Sequence, residues 1–213
     1  MTKRNTWLWI EWGALFWVLP VLMWLGGRGF PKFLPLVLGT IFITIYLVRS
    51  PRFDNRRFFS RENSKAFARG MLWKFPMVGL ALLLLTWTIA PQQLFFFPRQ
   101  RPLIWLMVMM LYPVFSAFPQ EIIFRAFFCQ RYRTLFPASR LLLVMNAACF
   151  AFVHIAYGNL VGPLLTLPAA FMFARTYTRH RSVLLAAVEH GLYGALVFTV
   201  GLGNYFFNGR VGS

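Results

Sequence analysis

The sequence predicts an all-α protein, a polytopic bundle of about seven transmembrane helices. Of its 213 residues, 59% are hydrophobic and only 13% are charged, whereas roughly a quarter of the residues in a soluble domain are charged. The apolar residues also occur in runs of about 17 to 20, the length that a helix needs to cross the hydrocarbon core of a bilayer. Residues 49–70 form the one long polar segment. The chain 1–213 is therefore interpreted as a single integral membrane domain.

Seven apolar runs define the predicted spans. They cover residues 7–26, 33–48, 71–90, 103–129, 141–157, 159–174 and 183–201. The first run contains Glu11 and Pro20 and is not followed by a small-residue cleavage site, so we expect a retained span and not a signal peptide. The fourth run contains Pro113 and Pro119, which membrane helices tolerate. It is interpreted either as one tilted helix or as a broken pair.

The basic residues predict how the chain is oriented in the membrane. The net charge of +17 comes from 22 Lys and Arg against 5 Asp and Glu, and the densest basic cluster lies in residues 49–70. Positive charge favours the cytoplasmic side. With this segment inside, alternation places most other basic residues inside too, with the N-terminus cytoplasmic and the C-terminus outside. Contact with anionic lipid explains the cluster, so the expected partner is the lipid bilayer and no nucleic acid.

The polar residues inside the predicted spans are the candidate functional groups. Three of the five acids and two of the three histidines fall there: Glu11, Glu121, Glu189, His154 and His190. An ionisable group costs several kcal/mol in hydrocarbon, and such groups mark pathways or reactive sites that face the bundle interior. A chain with so few acids that places most of them in the membrane is expected to use them.

The spacing of these residues predicts a shared site. Glu121 and Arg125 are four residues apart, so they meet on one face of a helix, where an ion pair would keep the carboxylate charged. At a rise of ~1.5 Å per residue, Glu121 and His190 lie about 10 to 12 Å below the inner edge, and His154 lies roughly 20 Å deep. A tilted fifth span would close that gap. The carboxylate and two imidazoles, from three helices, would then form a hydrated constellation able to handle a water molecule.

Three short motifs carry a family resemblance. They read QEIIFR at residues 120–125, FAFVH at 150–154 and HGLYG at 190–194. In this order, on hydrophobic spans, they resemble the Glu-Glu-x-x-x-Arg, Phe-x-x-x-His and His-x-x-x-Asn motifs of the CAAX-protease and bacteriocin-processing family, also called Abi, of intramembrane glutamic proteases. The resemblance covers residues 103–200, and FPQEIIFR looks like the Pro-Gln-Glu form of a bacterial branch.

The resemblance implies an endopeptidase of the bacterial cytoplasmic membrane that hydrolyses a hydrophobic or membrane-associated peptide or protein. Glu121, together with His154, would take a proton from water as general base. His190 would stabilise the oxyanion, and Arg125 would hold Glu121 in place. Gln120 replaces the first glutamate of the family motif and would orient water, because an amide cannot serve as a general base.

The third motif ends in Gly194 where the family often has Asn. Phe150 opens the second motif, and Tyr193, Asn146 or Asn159 are the candidates to replace the missing Asn. The resemblance also implies a glutamate-dependent reaction with no metal and no other cofactor. A zinc site with two histidines and one glutamate as ligands remains open as the alternative.

Each candidate residue also has a structural interpretation. Glu121 and Arg125 could be an ion pair that locks two helices together. His154 could donate a hydrogen bond to a neighbouring backbone carbonyl, which is the more frequent role of a single buried histidine. Glu189 is interpreted as the structural partner of an arginine and not as a site residue, because it cannot share a helix face with its neighbour His190.

Two further functional classes stay open. A catalytically inert relative acting as an immunity or scaffolding protein is favoured by Gln120. A membrane transporter would also need buried acids and histidines, but spread along a path and not gathered in one pocket. Glu11 lies apart from the other candidates, and we expect it to pair with Arg4 or Trp7 near the interface.

Overall fold

The computed structural model describes residues 3–27 and 30–206, with side chains from residue 5 onward. Within these ranges every regular element is helical. Seven long helices follow one another: α1 Asn5–Leu25, α2 Phe33–Arg49, α3 Ser64–Ile89, α4 Pro102–Arg131, α5 Ser139–Tyr157, α6 Val161–His180 and α7 Val183–Val200. A short helix, Phe96–Gln100, lies between α3 and α4, and 3-10 turns occupy Asn55–Phe58, Pro91–Gln93 and Leu202–Phe206.

The predicted all-α membrane bundle is confirmed. Among the described residues, α1, α3, α4, α5 and α7 are long and apolar enough to cross a membrane, and α2 is a shorter apolar helix. Each of the seven predicted spans falls on one of the seven helices. The fourth is one continuous helix, so the broken pair considered from its prolines is wrong.

Wide helical turns interrupt two of the long helices. In α1 a π turn covers Ala14–Val18, and in α4 two π turns cover Pro113–Ala117 and Ile122–Phe127. Pro113 has no N–H to donate into the helix, which favours a local departure from α geometry. Glu121 lies between the two π turns of α4. These turns therefore decide where the side chains of this helix point.

The second half of helix α4 lies in the interior of the bundle, whereas its first half exposes large apolar side chains. It contacts α2, α5 and α7, while α7 also packs against α3 and α6, and α1 packs against α5. Aromatic rings fill the space around α4: Phe16 lies 5.4 Å from Phe124 and 5.1 Å from Phe128, and Phe124 lies 4.9 Å from Phe150, between ring centroids. The candidate residues of α4, α5 and α7 are therefore held in one packed interior.

Polarity is distributed as expected for a protein surrounded by lipid. Large apolar side chains are widely exposed, among them Trp7, Leu72, Trp73 and Leu103, each with at least 70% of its surface accessible. The largest fully buried side chains include five polar ones: Arg125, Glu121, Glu189, Asn146 and Thr86. Apolar groups outside and paired polar groups inside suit a hydrocarbon solvent.

Two connections and the last turn of α4 meet at one end of the bundle, which we call the basic end. The α2–α3 loop, residues 50–63, contacts the last turn of α4, where Gln130 Nε2 donates to Ser50 Oγ at 2.8 Å. The same loop contacts the α6–α7 turn, where Ser182 Oγ donates to the Ser60 carbonyl at 2.6 Å. The arginine-rich segments of these connections therefore lie at one end of the molecule.

Candidate functional site

Glu121 is the centre of the candidate site. Its carboxylate has no exposed surface. Oε2 accepts a hydrogen bond from Arg125 Nε at 2.9 Å, and Oε1 pairs with His190 Nδ1 at 3.0 Å. The structure thus brings together an acid and a base of α4, as their spacing predicts, and joins them to the histidine of α7.

Arg125 is fixed by helix α5. One guanidinium nitrogen donates to Asn146 Oδ1, and the Asn146 amide in turn donates to the Phe124 carbonyl. The guanidinium carbon also lies 4.7 Å from the centroid of the Phe150 ring, within the range of a cation–π contact. Asn146 therefore supports the arginine of the first motif and does not contact His190.

Both ring nitrogens of His190 have partners. A carboxylate can only accept hydrogen bonds, so Nδ1 carries a hydrogen toward Glu121. The other nitrogen, Nε2, lies 2.9 Å from the Tyr112 hydroxyl. When the imidazole is neutral and its hydrogen is on Nδ1, Nε2 accepts a hydrogen bond that the Tyr112 hydroxyl donates. The ring of Phe173 stacks on the imidazole, with centroids 4.6 Å apart and planes inclined by 17°.

His154 lies beside this pair but is not hydrogen-bonded to it. Its Nδ1 donates to the Phe150 carbonyl at 2.9 Å, which is the contact expected from its structural interpretation. Its Nε2 makes no hydrogen bond to any described residue. The rings of His154 and His190 lie 5.2 and 5.4 Å from the ring of Phe150. The two imidazoles therefore flank one phenyl ring, despite their different predicted depths.

Three other predicted residues lie away from His190. The amide of Gln120 donates to Ser116 Oγ at 2.8 Å, one turn earlier on α4. The Tyr193 hydroxyl donates to Glu189 at 3.3 Å. The side chain of Asn159 caps the start of α6, where its Oδ1 accepts a backbone N–H at 2.8 Å. The candidates for replacing the Asn of the third motif are therefore engaged elsewhere.

Sequence reasoning missed Tyr112 and Phe173, two of the three aromatic neighbours of His190. Tyr112 and Glu121 are nine positions apart, which in a regular α-helix is two and a half turns and places them on opposite faces. The π turn Pro113–Ala117 lies between them and changes this relation. A proline directly after Tyr112 was the available signal, but it does not give the direction of the side chain.

The other two membrane acids belong to separate ion pairs. Glu189 Oε1 accepts from Lys74 Nζ of α3 at 3.3 Å, so its structural interpretation holds, although the cation is a lysine and not an arginine. The Glu189 carboxylate is fully buried, and its partner is partly exposed.

Glu11 does not use the partner expected from the sequence. Arg131 donates to its two oxygens at 2.9 and 2.5 Å, and the Tyr132 hydroxyl donates to Oε1 at 2.9 Å. The expected contact with Trp7 is therefore wrong, and the side chain of Arg4 lies outside the described residues. The error has a simple cause: the end of α4 reaches the first helix across a separation of 120 residues.

The donor set of the site does not form a zinc-binding cluster in this conformation. Among the described residues, no three His, Cys, Asp or Glu side chains converge as potential metal ligands. Glu121 and His190 meet, but His154 is turned to a backbone carbonyl. The set of two histidines and one glutamate considered from the sequence is therefore not assembled here.

The acid–histidine pair is enclosed. Glu121 and Arg125 have no exposed surface, and His190 retains 5%. A hydrated hollow is predicted from the sequence, but both carboxylate oxygens are bonded to protein donors in the structure. The Glu121 carboxylate is therefore closed to solvent, whereas the His190 side chain keeps a small accessible surface.

Fold and site together define a polytopic membrane protein with a buried acid–histidine–arginine centre. Residues 102–196 match the family model described as type II CAAX prenyl endopeptidase Rce1-like. The matched segment begins with α4, ends within α7 and contains all three motifs. The family predicted from those motifs is thereby confirmed for this part of the chain. No curated protein and no solved structure matches the chain.

Proposed function

We propose that this protein is an intramembrane endopeptidase that hydrolyses a peptide bond in a hydrophobic or membrane-associated peptide. The hydrogen bond between Glu121 Oε1 and His190 Nδ1 carries the proposal. It joins two spans within the segment that matches a CAAX endopeptidase family. An acid and an imidazole in contact, away from bulk water, form a pair suited to proton transfer.

In this mechanism Glu121 acts through His190. The carboxylate accepts the Nδ1 hydrogen and leaves Nε2 as the basic nitrogen of the ring. When Nε2 takes a proton from water, the negative charge of Glu121 stabilises the imidazolium that forms. The water oxygen attacks the scissile carbonyl, and Nε2 later returns the proton to the leaving amide nitrogen as the C–N bond breaks.

Arg125, His154 and Gln120 assist without taking the proton. Arg125 offsets the cost of burying the Glu121 carboxylate and holds it in place. The unpaired Nε2 of His154 can accept the second hydrogen of the attacking water. Gln120 precedes Glu121 on the same helix, and its amide would orient that water after leaving Ser116 Oγ. The proposed reaction uses no metal.

The proposed setting is a bacterial cytoplasmic membrane, with the basic end in the cytoplasm, the N-terminus on the same side and the C-terminus outside. Support comes from the arginine-rich connections that lie together at the basic end, since positive charge favours the cytoplasmic side. The proposed partners are a peptide or protein substrate and the lipid bilayer, with no nucleic acid.

The pairing of the membrane acids supports a protease over a transporter. Glu11, Glu121 and Glu189 each contact a different basic side chain. A proton relay needs exchangeable groups along a path, whereas this arrangement fixes two acids in structural pairs and leaves one beside the histidines. A single reactive centre fits that distribution better.

The test is cleavage of a fluorogenic hydrophobic peptide library by the purified protein in nanodiscs. Glu121→Gln and His190→Gln are expected to lower turnover by about 100-fold or more, the usual contribution of a general base. Glu62→Gln, which changes an exposed loop acid, is the matched control and should leave turnover unchanged. A zinc chelator should also have no effect.

Equal turnover by wild type and Glu121→Gln would remove the role assigned to Glu121. Loss of activity with the chelator would contradict the metal-free mechanism. If the folded wild-type protein cleaves no peptide of the library, the inert relative acting in immunity or scaffolding becomes the better explanation.

A further inference from the structure

Tyr112 occupies the space that a side chain at position 194 would need. A Cβ atom built on Gly194 would lie 2.2 Å from Tyr112 Cε1 and 2.6 Å from its hydroxyl oxygen. Gly194 lies inside α7 and is not among the positive-φ glycines. It is therefore required at this position for space and not for backbone conformation.

The close approach is built by two glycines of α7. A Cβ atom on Gly191 would lie 3.1 Å from Pro113 Cβ, so consecutive residues of α4 face glycines of α7 that are three residues apart. This contact places the Tyr112 hydroxyl 2.9 Å from His190 Nε2. The tyrosine reaches the nitrogen that the proposed mechanism uses as the base.

We propose that Tyr112 is a catalytic residue that donates a hydrogen bond to the oxyanion, an inference that rests on the proposed function. In the resting state its O–H donates to the lone pair of His190 Nε2. Nε2 takes the proton of the attacking water once this O–H turns away from the lone pair, and the protonated nitrogen can no longer accept a hydrogen bond. The phenol hydrogen must then find another acceptor.

The nearest new acceptor is the oxygen of the tetrahedral intermediate. Nε2–H donates to the phenol oxygen, and the phenol O–H donates to the negative oxygen that forms at the same moment. The phenol keeps its proton throughout, and the proton on Nε2 goes to the leaving nitrogen. Proton uptake by His190 and stabilisation of the oxyanion are thereby coupled through one hydroxyl group.

The first test is Tyr112→Phe, which keeps the ring over Gly194 and removes only the hydroxyl. Loss of one oxyanion donor is expected to lower kcat by about 100-fold, with little change in KM. Tyr46→Phe, on an exposed tyrosine of α2, is the control and should keep the wild-type kcat. An unchanged kcat for Tyr112→Phe would overturn the proposal.

The second test exchanges the two positions. Tyr112→Ala empties the space, and adding Gly194→Asn fills it with an amide four residues from His190, on the same face of α7. The kcat of the double variant is expected to be at least about tenfold higher than that of Tyr112→Ala, which corresponds to one good hydrogen bond. Gly194→Asn alone clashes with the tyrosine and should unfold more readily than wild type. No recovery in a folded double variant would argue against the role of the hydroxyl.

The third test does not depend on activity. The chain has only three histidines, so ¹⁵N labelling of histidine resolves the ring nitrogens of His190 in a membrane sample. Tyr112→Phe should shift the Nε2 resonance towards that of a nitrogen without a hydrogen bond and leave Nδ1 protonated. An unchanged Nε2 resonance would refute the contact. If the contact between Tyr112 and His190 is present but the wild-type protein cleaves no peptide, the proposed function is refuted. If the wild type is active and Tyr112→Phe is equally active, only the role of Tyr112 is refuted.

Discussion

Replacing Arg125 with Met tests whether the buried ion pair stabilises the bundle. Met keeps an unbranched but shorter apolar chain and removes the charge, the hydrogen bond to Glu121 and the hydrogen bond to Asn146. Glu121 then stays in the core with His190 as its remaining partner.

The expected cost follows from the burial of both groups. Neither side chain has exposed surface, and removing one partner of a buried pair costs about 3–5 kcal/mol because the other charge is left uncompensated. The double variant Arg125→Met, Glu121→Gln removes that charge while the Gln oxygen can still accept from His190. It is expected to be more stable than Arg125→Met alone.

The measurement is reversible unfolding in mixed micelles with increasing SDS, followed by the fluorescence of the eight tryptophans. Arg56→Met is the control, because its ion pair with Asp54 is exposed, with 90% and 41% of the side-chain surfaces accessible, and should leave the unfolding midpoint unchanged. A wild-type midpoint for Arg125→Met, or a double variant less stable than the single one, would refute this reasoning.

Three further substitutions can be measured in the same unfolding assay. Gly201 has φ +109°, and a Cβ there would lie 2.1 Å from a main-chain carbonyl oxygen, so Gly201→Ala should lower the free energy of unfolding by about 1–3 kcal/mol. Gly13 has open space around it, and Gly13→Ala is the control that should leave the unfolding midpoint unchanged. Equal midpoints for the two variants would be inconsistent with strain at Gly201. Asn146→Leu leaves two buried partners unpaired and should cost about 1–3 kcal/mol; an unchanged midpoint would exclude a supporting role. Glu11→Gln weakens a pair that is about one-third exposed and should cost under ~1 kcal/mol after solvent screening; a larger loss would show that this contact is effectively buried.

The helices and the central ion pair were predictable because they depend on local patterns. Apolar runs long enough to cross a bilayer predict the spans, and a spacing of four residues predicts the contact between Glu121 and Arg125. The meeting of Glu121 with His190 followed from their similar counted depths. These inferences need only helix geometry and the cost of charge in hydrocarbon.

The contacts that sequence reasoning missed depend on long-range packing. Tyr112 reaches His190 because a π turn changes the direction of its side chain and two glycines of α7 admit α4 closely. Asn146 shares a face with His154 by spacing, but the position of α5 against α4 directs it to Arg125. Nothing in the local sequence around Glu11 indicates Arg131 as its partner, since the two are 120 residues apart.

The location of each basic partner along the chain has a consequence for biogenesis. Glu121 and Arg125 lie on one helix, so they can enter the bilayer as a neutral unit while α4 is being inserted. Glu11 and Glu189 meet their cations only across 120 and 115 residues, and a charge at the centre of an inserting helix costs ~2.5–3.5 kcal/mol. We therefore expect the isolated α4 segment to insert less efficiently as Arg125→Met than as wild type in a glycosylation-based translocon assay, and equal efficiencies would contradict this. The first helix, by contrast, is made before its basic partner Arg131, whereas Glu189 of the last helix follows its partner Lys74 in the chain.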